Sequence, residues 1–386
     1  MAIIQSFTLH ALELPFCKPF KHAAHERWTS DSIMLECTLD DGSIGYGECL
    51  PRDYVSGESR DDAFALLEQS ILPRLVGQEF QDWQELLDFL TECNGRAVEG
   101  WVPPGQPQTA AWAAVDLALL DSFGHAFKQN VHLQDRVQLP DSMRYSVVFS
   151  AATGWSYLKT LLTVRLYGFR QVKLKIGAEG AVEMVRTARK VLGAGCDIRV
   201  DVNMAWDVPT ALEQMPLLAE YGVRSFEQPL PPDDIEGLAK LVHETGLEVM
   251  VDESLNDAQS LENLIKAKAC TSLNVRISKC GGLIAAYDRC RRGLEAGMII
   301  QVGCQVGESS LLSAAQLALI SAVGKQVRFS EGCFGKHLLK EDPVQPLLQF
   351  GYGGRPPVRP TGYGFGISVD QTQLSPWIKQ SVVVSD

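Results

Sequence analysis

At 386 residues the chain exceeds one ordinary domain, and its 46% apolar and 21% charged residues are typical of a globular protein with a large core. The formal net charge of −12 argues against nonspecific nucleic-acid binding, which needs a basic face. It does not exclude a small anionic substrate, because the local field at a metal or a lysine can be positive on an acidic protein.

Signals for export or membrane insertion are not apparent in the sequence. The first residues lack the basic and apolar regions of a signal peptide, and no run reaches the roughly 18 apolar residues of a membrane span. The ten cysteines form no CxxC pair, which indicates reduced thiols and neither a disulfide framework nor a zinc site. We therefore expect a cytoplasmic protein that binds neither nucleic acid nor a membrane.

Two patterns follow each other in the first 130 residues. Polar and apolar residues alternate over the first 50, with DDG (40–42) as a turn, which predicts an antiparallel meander. From about residue 60 the apolar residues recur with helical spacing. Strands followed by helices predict a separate α+β domain over residues 1–130.

Strand and helix patterns alternate through residues 131–345. Eight apolar runs predict parallel strands, at 144–149, 171–176, 198–202, 223–229, 248–254, 272–279, 297–303 and 325–332. Eight such strand–helix units make a (β/α)₈ barrel, which takes about 250 residues. The Pro- and Gly-rich segment 346–386 cannot extend the barrel, so we predict that it returns to the first domain.

Five ionisable residues recur with the period of the predicted strands. Each lies at the end of an apolar run, and successive members are 25 to 27 residues apart: Lys175, Asp201, Glu227, Asp252 and Lys279. The C-terminal ends of parallel barrel strands meet on one face, where (β/α)₈ enzymes have their active sites. The sequence therefore predicts one site with three carboxylates and two flanking lysines.

The three carboxylates predict a metal site. Asp201, Glu227 and Asp252 follow adjacent strands, and three converging acids repel one another unless a cation neutralises them. Ligation by oxygen alone suits a hard ion, so we expect Mg²⁺, with Mn²⁺ as a substitute. The alternative is that these acids cap helices or pair with surface lysines.

The lysines predict acid–base chemistry on both sides of the metal. Lys173 and Lys175 alternate with apolar residues, so both point to the barrel interior, where neighbouring positive charge would lower their pKa values. A lysine of that kind can act as a general base. Lys279 lies four strands away and hence across the mouth from Lys175. The alternative is a pair of lysines that extend from the barrel rim into solvent.

The segments around these residues resemble the enolase superfamily, in particular its muconate lactonizing enzyme subgroup (the mandelate racemase/muconate lactonizing enzyme family). The matching segments are KLKIG (173–177), DVNMAW (201–206), EQPL (227–230), DES (252–254), KCGG (279–282), GYGE (45–48), PRDYVSGE (51–58) and GYGFGISVD (362–370). The resemblance implies an α/β fold: a modified (β/α)₈ TIM barrel with an α+β capping domain formed by the N-terminal segment and the C-terminal tail.

The resemblance also implies a reaction. Its common step is metal-assisted abstraction of the proton α to a carboxylate, through an enediolate that Mg²⁺ stabilises. Lys175 and Lys279 would be the acid/base pair, and Lys173 would tune Lys175. Asn203 matches the subgroup's Asp-x-Asn and would support the metal ligands, although helix capping explains it equally well. Two lysines on opposite faces suit a 1,1-proton transfer, so we predict a racemase or epimerase of an amino-acid derivative.

Other interpretations stay open at this point. Muconate-type cycloisomerases and syn-dehydratases of the subgroup keep both lysines, so a cycloisomerase or a lyase is the main alternative. A non-catalytic binding protein would lack at least one ligand or lysine, and none is lacking. A plain barrel with a phosphate-binding loop would leave the three carboxylates unexplained.

Two strand ends bear on the substrate. Dipeptide epimerases of the subgroup carry an Asp-x-Asp at strand eight that holds the substrate ammonium, and here only Glu331 is available in RFSEGCFG (328–335). Glu308 could also face the site, with a helix-start acid as an equal alternative. No histidine ends strand seven, so the mandelate-racemase arrangement of His and Asp is absent.

Specificity is expected in two loops that, by resemblance, close over the barrel mouth. Lys21 and His25 lie in the first loop (17–30), and Arg52 and Tyr54 lie in the second (51–57). Basic groups there would suit an anionic or polar part of a small carboxylate substrate, although solvated loop charge explains each residue singly. We also expect a homo-oligomer.

Overall fold

The structure, a computed structural model, describes residues 1–22, 25–134, 138–150, 152–177 and 179–385, with the side chains of all of these except 20–22, 25 and 26. Among these residues no helix combines the length and apolarity needed to cross a bilayer.

The first 130 residues form an antiparallel sheet backed by helices, as predicted. The strands and helices are β1 (Ala2–His22), β2 (His25–Leu39), β3 (Ile44–Cys49), α1 (Asp53–Ser56), α2 (Arg60–Leu66), α3 (Leu72–Leu75), β4 (Glu79–Phe80), α4 (Trp83–Cys93) and α5 (Thr109–Ala126). Helix α5 is apolar all round and almost wholly buried against the sheet. A Cβ at Gly47 would lie 1.9 Å from the Ala114 carbonyl oxygen, so the glycines of GYGE allow β3 and α5 to approach closely.

All eight predicted barrel strands are present. They are parallel and pair in sequence order: β5 (Val147–Ser150), β6 (Gln171–Lys175), β7 (Asp197–Asp201), β8 (Val223–Glu227), β9 (Glu248–Val251), β10 (Ser272–Val275), β11 (Ile299–Val302) and β12 (Val327–Ser330). The first and last strands are joined just before β5, where the Ser146 amide donates to the Ser330 carbonyl oxygen at 2.8 Å.

The helices between the strands cover the barrel. They are α6 (Gly154–Leu166), α7 (Ala181–Leu192), α8 (Val208–Glu220), α9 (Ile235–Thr245), α10 (Ala258–Ala267), α11 (Ile277–Cys280), α12 (Leu283–Glu295) and α13 (Ser310–Val323). The single turn α11 is a correction to the sequence prediction. Strand β10 ends at Val275, and Lys279 lies in α11 beyond it. The two glycines after Cys280, both with positive φ, terminate this turn.

The C-terminal segment returns to the first domain, as predicted. It contains β13 (Val344–Gln345), β14 (Ser368–Val369), α14 (Gln371–Leu374) and β15 (Ile378–Ser385). Strand β15 pairs antiparallel with β1, with Phe7 opposite Val384, and completes the sheet order β15-β1-β2-β3. The fold class is therefore the predicted one, whereas the domain limits at residues 130 and 345 stay predictions.

Candidate active site

Three buried carboxylates lie side by side at the C-terminal ends of adjacent strands. Asp201 is the last residue of β7 and pairs in register with Glu227, the last residue of β8. Asp252 follows β9 directly. All three residues are buried, at most 1% exposed. The register of parallel strands thus brings together residues that are 25 and 26 positions apart in sequence.

Lys173 lies between the first two carboxylates and a fourth. Its Nζ is 3.2 Å from Asp201 Oδ2, 2.8 Å from Glu227 Oε1 and 3.0 Å from Glu331 Oε2. Burial lowers the pKa of Lys173, but the three carboxylates outweigh burial and raise it well above its usual value. This differs from the expectation that positive neighbours would dominate around the lysine pair. Lys173 is a fixed cation that holds carboxylates together.

Lys175 lies at one end of the row of carboxylates. Its Nζ donates to Asn203 Oδ1 at 3.2 Å and is 3.7 Å from Asp201 Oδ2. Its side chain is 19% exposed. Asn203 has φ +47°, and its backbone N–H donates to Asp201 Oδ1 at 3.1 Å. Asn203 therefore contacts both the predicted base and a predicted metal ligand.

Lys279 lies at the other end of the row. Its Nζ donates to Asp252 Oδ1 at 2.9 Å, to the Asp252 carbonyl oxygen at 2.5 Å and to the Asn274 carbonyl oxygen at 3.0 Å. Its side chain is fully buried. Lys175 and Lys279 thus flank the carboxylates from strands four apart in the eight-stranded barrel.

The cations around the carboxylates set their protonation. Burial would raise the pKa of Asp201, but Lys173, Lys175 and other cations lower it to about 2. Burial raises the pKa of Glu227 to about 7, against the effect of Lys173. Burial would also raise the pKa of Asp252, yet Arg276 and Lys279 lower it. The outer two carboxylates of the row are therefore anionic at neutral pH.

The donor set fits a hard divalent cation, although the carboxylates are now paired with basic side chains. All three predicted ligands are buried and supply only oxygen. Two amide oxygens beside Glu227, Asn274 Oδ1 and Gln301 Oε1, are buried without a hydrogen-bond donor among the described residues. In the described residues no three acidic, His or Cys side chains are close enough together to hold an ion as they stand. The side chains of Lys173 and Arg276 lie between the three carboxylates of the row.

Glu331 and Glu308, the two predicted substrate carboxylates, are both largely enclosed. Glu331 is engaged by Lys173 and, at 3.2 Å, by Arg199, whose guanidinium also lies over the Phe329 ring. Glu308 accepts a hydrogen bond from the backbone N–H of Gln305 at 2.6 Å, and burial raises the pKa of Glu308 to about 8. The contacts of Glu331 indicate a role in holding cations. A direct role in substrate binding stays a prediction for both residues.

The hydrogen bonds of Arg52, in the second predicted loop, do not include the three carboxylates of the row. Arg52 is buried, and its guanidinium donates to the carbonyl oxygens of Pro51 and Val306 at 2.7 and 3.2 Å, so it fastens the second loop to the barrel. Tyr54 is 39% exposed. The side chains of Lys21 and His25 lie outside the described residues, so their roles stay predictions.

The capping domain contacts the chain on both sides of Lys279. The Leu50 amide donates to Ser278 Oγ at 2.9 Å, and Asp116 Oδ1 accepts from the Leu283 amide at 2.6 Å. A Cβ on Gly281 would lie 2.2 Å from the carbonyl oxygen of Gly95. Sequence reasoning missed these contacts because they join residues 167 or more positions apart.

Sequence reasoning also missed Arg276. Its Nη2 donates to Asp252 Oδ2 and is 3.9 Å from Glu227 Oε1, while its Nη1 donates to Gln305 Oε1 at 3.0 Å. A signal was available, because Asn274 and Arg276 are two residues apart at a strand end and so share the inward face with the site.

Comparison with known proteins matches both parts of the chain to family models. Residues 6–133 match the model described as mandelate racemase/muconate lactonizing enzyme, N-terminal domain, and residues 158–373 match the model described as enolase C-terminal domain-like.

Individual relatives share about a quarter of their residues with this chain. N-succinyl-L-Arg/Lys racemase of Bacillus cereus is 29% identical over 81% of this chain and 82% of its own length. Its crystal structure superposes with a TM-score of 0.87, covering 99% of this chain and all of that one. Muconate cycloisomerase 1 of Rhodococcus opacus is 26% identical over 95% of this chain and 96% of its own length. A dipeptide epimerase from Cytophaga hutchinsonii, crystallised with Mg and D-Ala-L-Val, shares the fold at 24% identity and a TM-score of 0.82, covering 99% of this chain and all of that one.

Proposed function

Because this chain belongs to the mandelate racemase/muconate lactonizing enzyme family of the enolase superfamily, we propose that it racemises or epimerises a small carboxylate by moving the proton on the adjacent carbon. The relatives named above include racemases, epimerases and cycloisomerases, and this chain, like them, is an isomerase. The proposed substrate is an amino acid whose nitrogen is acylated.

The proposal depends on one observation, the order of charged groups across the barrel mouth. Lys175 contacts Asp201 at one end, Lys279 contacts Asp252 at the other, and Glu227 lies between the two acids. A substrate held over the middle of this row would have a lysine on each face. One lysine takes the proton from one face as general base, and the other returns a proton to the opposite face as general acid.

Asp201, Glu227 and Asp252 would hold Mg²⁺, or Mn²⁺ in its place. When bound, the ion would supply positive charge that stabilises the enediolate form of the substrate carboxylate. Lys173 forms ion pairs with Asp201 and Glu227, and Asn203 forms hydrogen bonds with both Asp201 and Lys175. These residues orient the ligands and the base without touching the reacting carbon.

The contacts of Glu331 favour an acylated nitrogen over a free ammonium. Glu331 directly follows the last barrel strand, and its carboxylate is already paired with Lys173 and Arg199. An amide nitrogen is neutral and needs no such carboxylate, whereas an ammonium buried without a counter-charge is costly. The similarity to an N-succinyl amino-acid racemase supports the same substrate class.

Cycloisomerisation is the second candidate. The observation that favours it is the match to a muconate cycloisomerase, which extends over 95% of this chain. Such a reaction would need only one lysine as acid/base. It would close a ring in the substrate and would not exchange the α-proton of an amino-acid derivative.

The two candidates can be separated by incubating the protein with N-succinyl amino acids, dipeptides and cis,cis-muconate. We expect Mg²⁺-dependent racemisation of N-succinyl amino acids, lost in EDTA and in Asp201→Asn. Asp207→Asn, which changes a carboxylate that caps helix α8, is the matched control and should stay active. Lactone formation from muconate without racemisation of any N-acyl amino acid would contradict the proposal.

A further inference from the structure

Arg276 lies within the row of carboxylates that forms the proposed metal site. Its guanidinium lies between the second and third carboxylates of the row, donating to Asp252 and approaching Glu227. Lys279 donates to the other oxygen of Asp252 at 2.9 Å. Both carboxylate oxygens of Asp252 are therefore taken by cations of the protein itself.

A metal ion that bound Asp252 would share a carboxylate oxygen with one of these two cations, and the repulsion between the two positive charges favours displacement of the protein cation. Lys279 is fully buried and is also held by two backbone carbonyl oxygens, those of Asp252 and Asn274. The Arg276 side chain is 12% exposed, and its second amino group, Nη1, donates to Gln305. Arg276 is thus the less constrained of the two.

The hydrogen bonding of Arg276 is incomplete in its observed position. Arg276 Nε and Gln305 Nε2 are buried donors without an acceptor among the residues that the structure describes. Against the larger effect of burial, the positive charge of Arg276 lowers the pKa of Glu308, so the two groups lie near each other. Glu308 is therefore the candidate partner for a guanidinium that leaves Asp252.

We propose that Arg276 is the counter-cation of the metal-free site and that divalent metal binding displaces its guanidinium from Asp252. Arg276 then lowers the affinity for the metal while it stabilises the protein before metal is bound. The inference relies on the proposed function, because it takes Asp252 as a ligand. It concerns a residue that the ligand set does not include.

The test is calorimetric titration of the full chain with MgCl₂ in the absence of substrate, comparing wild type with Arg276→Met. A cation in contact with a carboxylate changes its affinity for a proton by about 1–3 pKa units, so removing this competitor is expected to tighten Mg²⁺ binding by roughly tenfold or more. Arg276→Lys, which keeps the charge but cannot span Asp252 and Gln305, is expected to fall between. Arg328→Met is the matched control, since Arg328 pairs with Glu248 at the start of the strands.

Thermal unfolding supplies a second readout that does not need the binding isotherm. Without metal, Arg276→Met is expected to melt below wild type, because a buried carboxylate has lost a counter-charge. Added Mg²⁺ should raise the Tm of the variant more than that of wild type. If Arg276→Met does not fold, the same two comparisons with Arg276→Lys decide the question.

The outcomes separate this inference from the proposed function. Unchanged or weaker Mg²⁺ binding by the Arg276 variants, with wild type binding normally, would overturn the inference and leave the metal site standing. Equal binding by wild type and Asp201→Asn would overturn the proposed metal site and the inference together.

Discussion

The two ends of the charged row are built differently. Lys175 is part of a strand, is 19% exposed and contacts the side chains of Asn203 and Asp201. Lys279 is in a one-turn helix, is fully buried and is held by two carbonyl oxygens and a carboxylate. The residue before it contacts Leu50 of the capping domain, and the start of α12 after it contacts Asp116. We therefore expect the position of Lys279, and not that of Lys175, to depend on the contact between the two domains.

Replacing each lysine should reveal this difference most strongly. Lys279→Ala leaves Asp252 with one fewer buried partner, and breaking a buried ion pair of this kind is expected to cost roughly 3 kcal/mol of unfolding free energy. Lys175→Ala removes a partly exposed contact and should cost under about 1 kcal/mol. Urea unfolding of both variants measures the two values. Equal losses would contradict the asymmetry.

The contact between Gly281 and Gly95 tests whether the capping domain positions Lys279. Gly281→Ala introduces a Cβ 2.2 Å from the Gly95 carbonyl oxygen at a residue with φ +90°, so the backbone must move, and we expect a loss of about 2 kcal/mol. Gly246→Ala is the control, since Gly246 also has positive φ but no atom lies within 4 Å of the added Cβ. The two variants should differ in stability and also in proton exchange that depends on Lys279. Identical behaviour would show that the close approach is unimportant.

Asp116 tests the same contact through a hydrogen bond. Asp116→Ala removes the acceptor of the Leu283 amide at the start of α12, and loss of such a cap is expected to cost about 1 kcal/mol. Asp116→Asn keeps an acceptor oxygen and should stay close to wild type. Exchange at the substrate face served by Lys279 should slow in Asp116→Ala, with little change at the opposite face. Equal slowing of both faces would argue for a general loss of structure.

Glu308 tests a different property, the pH dependence of stability. Burial raises its pKa from the ordinary 4.5 to about 8, so the folded protein holds a proton there that the unfolded chain releases between these pH values. Its contribution to stability is therefore present at low pH and is lost as pH rises toward about 8, with a slope of at most about 1.4 kcal/mol per pH unit.

In Glu308→Gln this contribution is absent, so unfolding free energy should fall less steeply from pH 5 to pH 8 than in wild type. Urea unfolding across this range measures the slopes. Glu295→Gln, at an exposed glutamate, controls for the loss of a charge. Parallel curves for wild type and Glu308→Gln would contradict the buried, protonated state of Glu308.

The sequence was informative where spacing repeats. One ionisable residue per strand–helix unit predicted the barrel and the row Asp201, Glu227 and Asp252, because parallel strands must place their C-terminal ends on one face. It was less informative about Lys173, since two alternating lysines predict mutual repulsion, whereas three carboxylates from other strands surround the first of them.

Contacts between distant segments could not be predicted from the sequence alone. Nothing in the sequence pairs Asp116 with Leu283 or Leu50 with Ser278, because each pairing depends on how the capping domain lies on the barrel. Arg276 was missed for a different reason. It lies at the strand end that was assigned to Lys279 alone, and the hydrogen bonds in the structure show that both residues reach the same carboxylate, that of Asp252.

The central claim is that Lys175 and Lys279 act on opposite faces of one substrate. The most direct measurement follows α-deuterium incorporation into each enantiomer of an N-succinyl amino acid in D₂O with Mg²⁺, by proton NMR, for wild type, Lys175→Ala and Lys279→Ala. We expect wild type to exchange and interconvert both enantiomers, and each variant to exchange only one enantiomer without interconversion, opposite in the two variants. Exchange of the same enantiomer in both variants, or interconversion by either, would contradict the claim.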